Sequence, residues 1–273
     1  MNTKTIHQMH RLPEEQLPPL LKRTQATVRA SCTETTGWSY KFWTDVELEA
    51  LMIEEYAGLL SIFKQCRTGV QRGDLGRLLV LHKFGGLYLD LDIELLRNPN
   101  TIFEYADSKK LILAPEPVEQ VEFLKYSQNS HLKYLCNAFI YAEKGLPIVK
   151  RLLDIVEGMF KTYGPNIFNQ FDVFGGRMLT TVYHYHGQRA AFSLLESDLV
   201  YPINDLKLKE LPNYERDIAF LRDRDNNNVT EPPIALHYWV HGDFEGSNSL
   251  PTFQVDEKVA LSLDYLRFFG LNV

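Results

Sequence analysis

The stretch from Val70 to Leu96 limits what this chain can become more than any other. Leu75, Leu78, Leu79 and His82 fall at i, i+3, i+4 and i+7, which predicts an amphipathic helix, and Gly85-Gly86 ends it before the apolar run "LYLDLDIEL". A helix passing through a glycine turn into a strand is half of an α/β unit. The same order recurs along the chain. "TIHQMH" predicts a first strand, and the prolines of "RLPEEQLPP" precede a helix starting near Leu20. "WSYKFWT" predicts a second strand, and "DVELEALMIEEYAGLLSIFKQ" one or two helices with Asp45 as N-cap. "KLILA" and "NAFIYA" read as strands, "PIVKRLLDIVEGMFKTY" and "GGRMLTTVYHYH" as helices, and "PPIALHYWV" as a late strand, while "RDRDNNNVTEPP" is a surface loop. Strands alternating with helices predict the α/β class, with a mainly parallel sheet covered by helices on both faces. No composition shift or repeat divides residues 1–273, so one domain is expected.

The puzzle is the pair of acids inside the apolar run. In a strand, residues two apart point to one side, so Asp90 and Asp92 are expected to present their carboxylates together. Buried bare, each would cost several kcal/mol, and the remedies are protonation, hydrogen-bonded pairing or a cation. A divalent cation answers this best, and oxygen ligands select Mn2+ or Mg2+ over zinc, with a substrate's phosphates completing the shell. Asp74 and Arg77 lie three apart on the preceding helix and share a face partly opposite the leucine stripe. An ion pair so placed on a surface is worth only about a few tenths of a kcal/mol, so its meaning depends on what surrounds it.

The whole segment "DLGRLLVLHKFGGLYLDLDIELL" resembles the D-x-x-R and Gly-Gly-x-Tyr-x-Asp-x-Asp signature of the DXD sugar-binding glycosyltransferases of family 32, and of the related large clostridial glucosylating toxins. "IHQMH", "WSYKFWTD", "NAFIYAEKGLPIVKRLL" and "ALHYWVHGDF" are similar to further blocks of that family, in its order, over about positions 5 to 244. The resemblance implies the GT-A fold and a metal-dependent, retaining transfer of a hexose from a nucleoside diphosphate sugar, UDP- or GDP-linked, to a glycan, lipid or protein hydroxyl. It implies that Asp90 touches the ribose or a metal-bound water, that Asp92 ligates the metal, and that Asp74 and Arg77 hold the donor sugar's hydroxyls. His237 becomes a further metal or diphosphate ligand, with Trp239 in the same element on the nucleotide. His10 stands where the family commonly has a tryptophan under the nucleobase, and "FGGRML" (Gly175 to Leu179) replaces a common Gly-Pro. Asn137 and Asp172 are candidates near the reacting face.

Other features carry less. The Asp-x-Asp pair is also similar to that of haloacid-dehalogenase-type phosphatases, which makes a phosphohydrolase the rival enzyme. That motif wants Thr or Val where Glu94 stands. A sugar-binding relative without turnover is the non-enzymatic reading, and the intact set of Asp74, Arg77, Asp90 and Asp92 argues against it. A formal charge of −6 gives no basic footprint for nucleic acid. Cys32, Cys66 and Cys136 are odd in number and form no C-x-x-C pair, so they read as reduced, buried thiols. Neither a signal peptide nor a membrane span is visible, and a cytoplasmic location is expected. Trp38, Tyr40 and Trp43 read as core, and "YHYH" (Tyr183 to His186) as packing or surface rather than a metal site.

Overall fold

A computed structural model describes residues 4–117, 133–169, 173–202 and 233–240. Asp172 and "RDRDNNN" lie outside the described residues. The first half runs β1 (Lys4–Met9), α1 (Pro19–Ala30), β2 (Trp38–Trp43), α2 (Asp45–Glu55), α3 (Ala57–Gln65), α4 (Gly69–Phe84), β3 (Gly86–Leu89) and β4 (Ile93–Leu95). The second half adds α5 (Ile102–Tyr105), β5 (Leu111–Leu113), β6 (Phe139–Ala142), α6 (Pro147–Tyr163), α7 (Gly176–Tyr185), β7 (Phe192–Leu194), α8 (Ser197–Val200) and β8 (Ala235–His237).

Six strands form one sheet in the order β2-β1-β3-β6-β5-β7, and β4 with β8 form a separate antiparallel pair. Within the large sheet β6 runs antiparallel to β3 and β5, and the other pairings are parallel. Alternation along the strands divides the core between the two faces. Tyr88, Ile140, Leu111 and Leu113 pack with α2, α3, α4, α6 and α7. Leu87, Leu89, Phe139, Tyr141 and Ile112 pack on the other side with Val28 of α1, Ile102 of α5 and Leu199 of α8. The expected sheet covered on both faces is therefore present.

From β1 the chain goes to β2 on one side and, after three helices, to β3 on the other. The carboxyl ends of β1 and β3 thus flank a topological switch point, where an open α/β sheet leaves a crevice. The reversed β6 matters here, because Leu89 pairs with Phe139 and so β6 begins where β3 ends. Residues just before β6 reach the same crevice.

Four local expectations are corrected. Asp45 is not the N-cap of α2: Thr44 is, in a reciprocal capping box with Glu47. A capping box needs Glu or Gln three residues after the cap, which Thr44 has and Asp45, followed by Leu48, lacks. Helix α4 is not amphipathic over its length, since Asp74 through Leu81 are all buried between the sheet and the surrounding helices. Asp90 and Asp92 do not sit on a continuous strand: β3 ends at Leu89, and a turn closed by Ile93 N–H donating to Asp90 O (3.1 Å) leads into β4. Aspartate favours such a turn position, which alternation alone does not reveal. Cys66 and Cys136 are buried free thiols as expected, but Cys32 is only half-buried.

The Gly85-Gly86 turn has φ of +68° and +104°, in the region that favours glycine. A Cβ on Gly86 would stand 2.1 Å from Thr5 O, on the neighbouring strand. Beside it, buried His7 donates from Nε2 to Gly85 O (2.8 Å) and accepts at Nδ1 from Trp43 Nε1–H (3.1 Å). Burial holds this imidazole neutral, with its pKa lowered to about 4. Gly86→Ala is expected to lower the unfolding free energy by about 3 kcal/mol or more, combining backbone strain with a backbone clash. Urea unfolding of wild type and variant measures this, and a loss below about 1 kcal/mol would mean that the turn tolerates a side chain.

Candidate active site

A cleft of about 190 Å³ opens at the switch point, lined on one side by Met9, His10 and Arg11 after β1 and on the other by Tyr88, Asp90, Leu91 and Asp92 after β3. Arg77, reaching in from α4, also lines it.

Arg77 is 5% exposed, and a guanidinium there must be matched. Nη2 pairs with Asp74 Oδ1 at 2.9 Å and Nη1 with Asp90 Oδ1 at 3.3 Å. Nη1 also donates to the carbonyl of Asn137, and Nε to Gly73 O at 3.3 Å. Asn137 Nδ2 in turn donates to Asp74 Oδ1 at 2.8 Å. The guanidinium lies 4.7 Å over the Tyr88 ring, whose hydroxyl donates to Asp90 Oδ1 at 2.6 Å. Burial opposes the charge on Arg77, but Asp90, Tyr88 and Asp74 outweigh it and raise its pKa. Burial pushes the Tyr88 phenol far above its ordinary value, so it stays a donor.

The other cluster is Asp90, Asp92 and His237, each placing one ligand atom within 4.8 Å of the others. Pairing of Ile93 with His237 between β4 and β8 sets the histidine beside the turn. Asp92 Oδ2 meets His237 Nε2 at 3.2 Å and accepts from Val240 N–H at 2.7 Å, while its carbonyl accepts from Tyr238 N–H at 3.0 Å. His237 Nδ1 is buried with no hydrogen-bond partner among the described residues. Ligands of one small divalent ion lie at most about 4.2 Å apart, so shifts of a few tenths of an ångström would bring these three onto a shared ion. Two carboxylates and an imidazole whose remaining nitrogen is orphaned fit a bound divalent cation.

Burial alone would lower the pKa of His237, but the Asp92 carboxylate outweighs it and holds the imidazole above its usual value. Burial alone would raise Asp92, but His237 and the Val240 N–H hold it below the usual carboxylate range.

Six of the residues singled out in the sequence, Asp74, Arg77, Asp90, Asp92, Asn137 and His237, therefore form one contiguous assembly. Arg77, Asp90 and Asp92 line the cleft, and Asp74, Asn137 and His237 stand behind them. His10 also lines the cleft, with Nδ1 accepting from Leu12 N–H (3.0 Å). Trp239 is buried and packs tilted against His237, ring centroids 4.1 Å apart, rather than lining the cleft. Sequence reasoning missed Tyr88, although it lies inside the quoted motif and alternation with Leu87 and Leu89 puts it on the face towards α4. It also missed the buried bond from Tyr238 OH to Glu94 Oε2 (2.6 Å), which ties β8 to β4.

Residues 21–109 match the family model described as glycosyltransferase sugar-binding region containing DXD motif. Over 90 residues the chain is 30% identical to inositol phosphoceramide mannosyltransferase 1 of Schizosaccharomyces pombe, a stretch covering 33% of this chain and 28% of that protein. It is 31% identical over 90 residues to mannosyl phosphorylinositol ceramide synthase SUR1 of Saccharomyces cerevisiae, covering 33% of this chain and 22% of that one. The matched stretch thus spans less than a third of either relative. Among solved structures, mouse xyloside xylosyltransferase 1 in its apo form superposes with a TM-score of 0.50 at 10% identity, over 86% of this chain and 97% of that one. The resemblance to DXD sugar-binding glycosyltransferases holds, and the architecture is the expected GT-A fold. The family match includes Asp74, Arg77, Asp90 and Asp92, and leaves His10, Asn137, His237 and Trp239 outside it.

The raised pKa of His237 has a signed consequence. The imidazolium–Asp92 attraction stabilises the metal-free protein fully below the unfolded histidine pKa of about 6.5, and is lost as pH rises through the higher folded value. A cation held at this cluster would compete with protons, so Mn2+ affinity is expected to climb over that window. Mn2+ titrations and metal-free melting curves between about pH 6 and 9 on wild type and His237→Gln test this, and parallel curves would mean that His237 takes no part.

Proposed function

We propose that this chain is a metal-dependent glycosyltransferase that moves a hexose from a nucleoside diphosphate sugar to an acceptor hydroxyl with retention at the anomeric carbon. The observation that supports this most is the meeting, at the switch-point cleft, of the buried Arg77–Asp74–Asp90 network with the Asp90–Asp92–His237 cluster. The Arg77–Asp74–Asp90 network can grip sugar hydroxyls with a fixed guanidinium and carboxylates, and the adjoining Asp90–Asp92–His237 cluster can hold a cation against a diphosphate. The relatives that share this third of the chain are by name a mannosyltransferase and a mannosyl phosphorylinositol ceramide synthase, which makes GDP-mannose the first donor to test, with UDP-hexoses after it. The acceptor is a glycan, lipid or protein hydroxyl. Nothing in the cleft or the comparisons favours the phosphohydrolase, and Asp90 Oδ1, already engaged by Tyr88 and Arg77, is poorly placed as a nucleophile.

When bound, Mn2+ or Mg2+ supplies Lewis-acid neutralisation of the charge that builds on the leaving diphosphate. Asp92 and His237, with Asp90, would hold that cation. Arg77 stays charged and immobile, so it needs no reorganisation as the anomeric bond stretches. In a front-face displacement the acceptor oxygen bonds to the anomeric carbon, the carbon–oxygen bond to phosphate breaks, and the acceptor proton passes to a phosphate oxygen. No protein base is required.

Screening nucleoside diphosphate hexoses for hydrolysis without acceptor tests the reading. Turnover is expected to vanish in excess EDTA and in Asp92→Asn, and undiminished turnover in either would refute the metal assignment. A second measurement separates sugar from nucleotide. Asp74→Asn keeps the shape of the network but removes a charge beside Arg77, and is expected to cut turnover by about a hundredfold while bare nucleoside diphosphate affinity stays within about twofold. Equal loss of both by calorimetry would make Asp74 a structural residue only.

A further inference from the structure

Gly175 and Gly176 open α7, and at both positions its backbone meets another part of the fold too closely for a side chain. A Cβ on Gly176 would stand 2.5 Å from the carbonyl oxygen of Leu135. One turn further on, Thr180 Oγ1 accepts from Leu135 N–H at 2.8 Å. Helix α7 is thereby fixed against the segment that carries Asn137. A Cβ on Gly175 would stand 2.9 Å from Asp74 Oδ2 and 3.0 Å from Asn137 Nδ2.

Side-chain tips usually yield to such a contact, but these two are held. Asp74 Oδ1 accepts from Asn137 Nδ2 at 2.8 Å and pairs with Arg77 at 2.9 Å, while Arg77 also donates to the Asn137 carbonyl. Asp74 is 2% exposed, so there is no solvent-facing rotamer for it to retreat to. An added methyl must therefore push on the whole network, and through it on the guanidinium that lines the cleft. By contrast, a Cβ on Gly158, within α6, would meet nothing within 4 Å.

We infer that Gly175 is a positioning residue for the donor-sugar grip: its bare Cα lets α7 stand against Asp74 and Asn137, which in turn aim Arg77 into the cleft. This rests on the reading of that cleft as a nucleoside diphosphate sugar site. Diphosphate binding depends on Asp92 and His237, which do not touch α7 in any contact described above, so sugar and diphosphate recognition should separate when position 175 is changed.

The test uses the full chain with Mn2+ and whichever GDP- or UDP-hexose wild type hydrolyses, together with the matching bare nucleoside diphosphate. Gly175→Ala is expected to lower kcat/KM for donor hydrolysis by about tenfold or more while the Kd of the bare nucleoside diphosphate changes less than about twofold. Gly158→Ala should match wild type in both. Thr180→Val adds no atom at the Asp74 contact but loosens α7 from Leu135, and a smaller loss confined to the sugar-bearing donor is expected. If Gly175→Ala fails to fold, Thr180→Val decides alone, and a Thr180→Val enzyme with unchanged kcat/KM overturns the inference. So does a folded Gly175→Ala enzyme with wild-type kcat/KM, or one that loses the bare nucleotide as severely as the donor. A wild type that binds and hydrolyses no nucleoside diphosphate hexose refutes the parent reading instead.

Discussion

Everything about this cleft depends on a guanidinium that water scarcely reaches. Arg77 is buried inside α4, and the fold answers its charge from three directions: Asp74 one turn back on the same helix, Asp90 at the exit of β3, and the Asn137 carbonyl at the entry to β6. An exposed i, i+3 pair would contribute a few tenths of a kcal/mol, whereas removing one partner of a buried pair costs about 3–5 kcal/mol because the other charge is left stranded. The network therefore fixes a helix, a turn and a strand relative to one another. Stability and site geometry are set by the same contacts.

The antiparallel β6 is the topological feature that makes this possible. In an all-parallel sheet every strand would bring its carboxyl end to the crevice, and the residue before a strand would emerge on the opposite side. Reversing β6 brings Asn137 and its carbonyl to the crevice from the amino end, while Asp90 N–H donates to Ala138 O at 2.8 Å and seals the seam. Helix α7 then seats its glycines on that seam.

Local patterns carried much of this in the sequence. The end of α4 at Gly85, the helix–turn–strand order and the apolar strands were legible because periodicity and glycine chemistry are local. The pair Asp90 and Asp92 was legible as a pair, but for a different reason than alternation supplies: a turn, not a strand, brings the carboxylates together. The leucine stripe on α4 read as amphipathic because Asp74 and Arg77 are charged, and only their mutual neutralisation lets that face be buried. The pairing of β3 with the reversed β6, the separate β4–β8 pair and the contact of Gly175 with Asp74 depend on residues 50 to 144 positions apart, and no local signal encodes them.

The two halves of the Asp90–Asp92–His237 cluster are held in different ways. Asp90 is tied to the main sheet by Gln8 Nε2 of β1, which donates to its carbonyl at 3.2 Å, and Leu91 beside it to α1 by Thr24 Oγ1, which donates to the Leu91 carbonyl. His237 arrives on a strand of three residues, paired with an equally short β4, and such a ribbon is marginal alone. Its supports are the Tyr238–Glu94 bond, the Val240 N–H on Asp92, and the packing of Trp239 against His237. Bringing Val240 back to Asp92 requires Trp239 to adopt φ of +49°, a left-handed conformation costing about 1–3 kcal/mol for a bulky residue. The contacts of β8 must offset that strain. A cation that bound only when His237 is docked would therefore favour the docked strand by mass action, and docking would raise the affinity for the cation by the same factor. Cation binding at this cluster and seating of β8 would be one linked equilibrium, with Asp92 as the residue common to both.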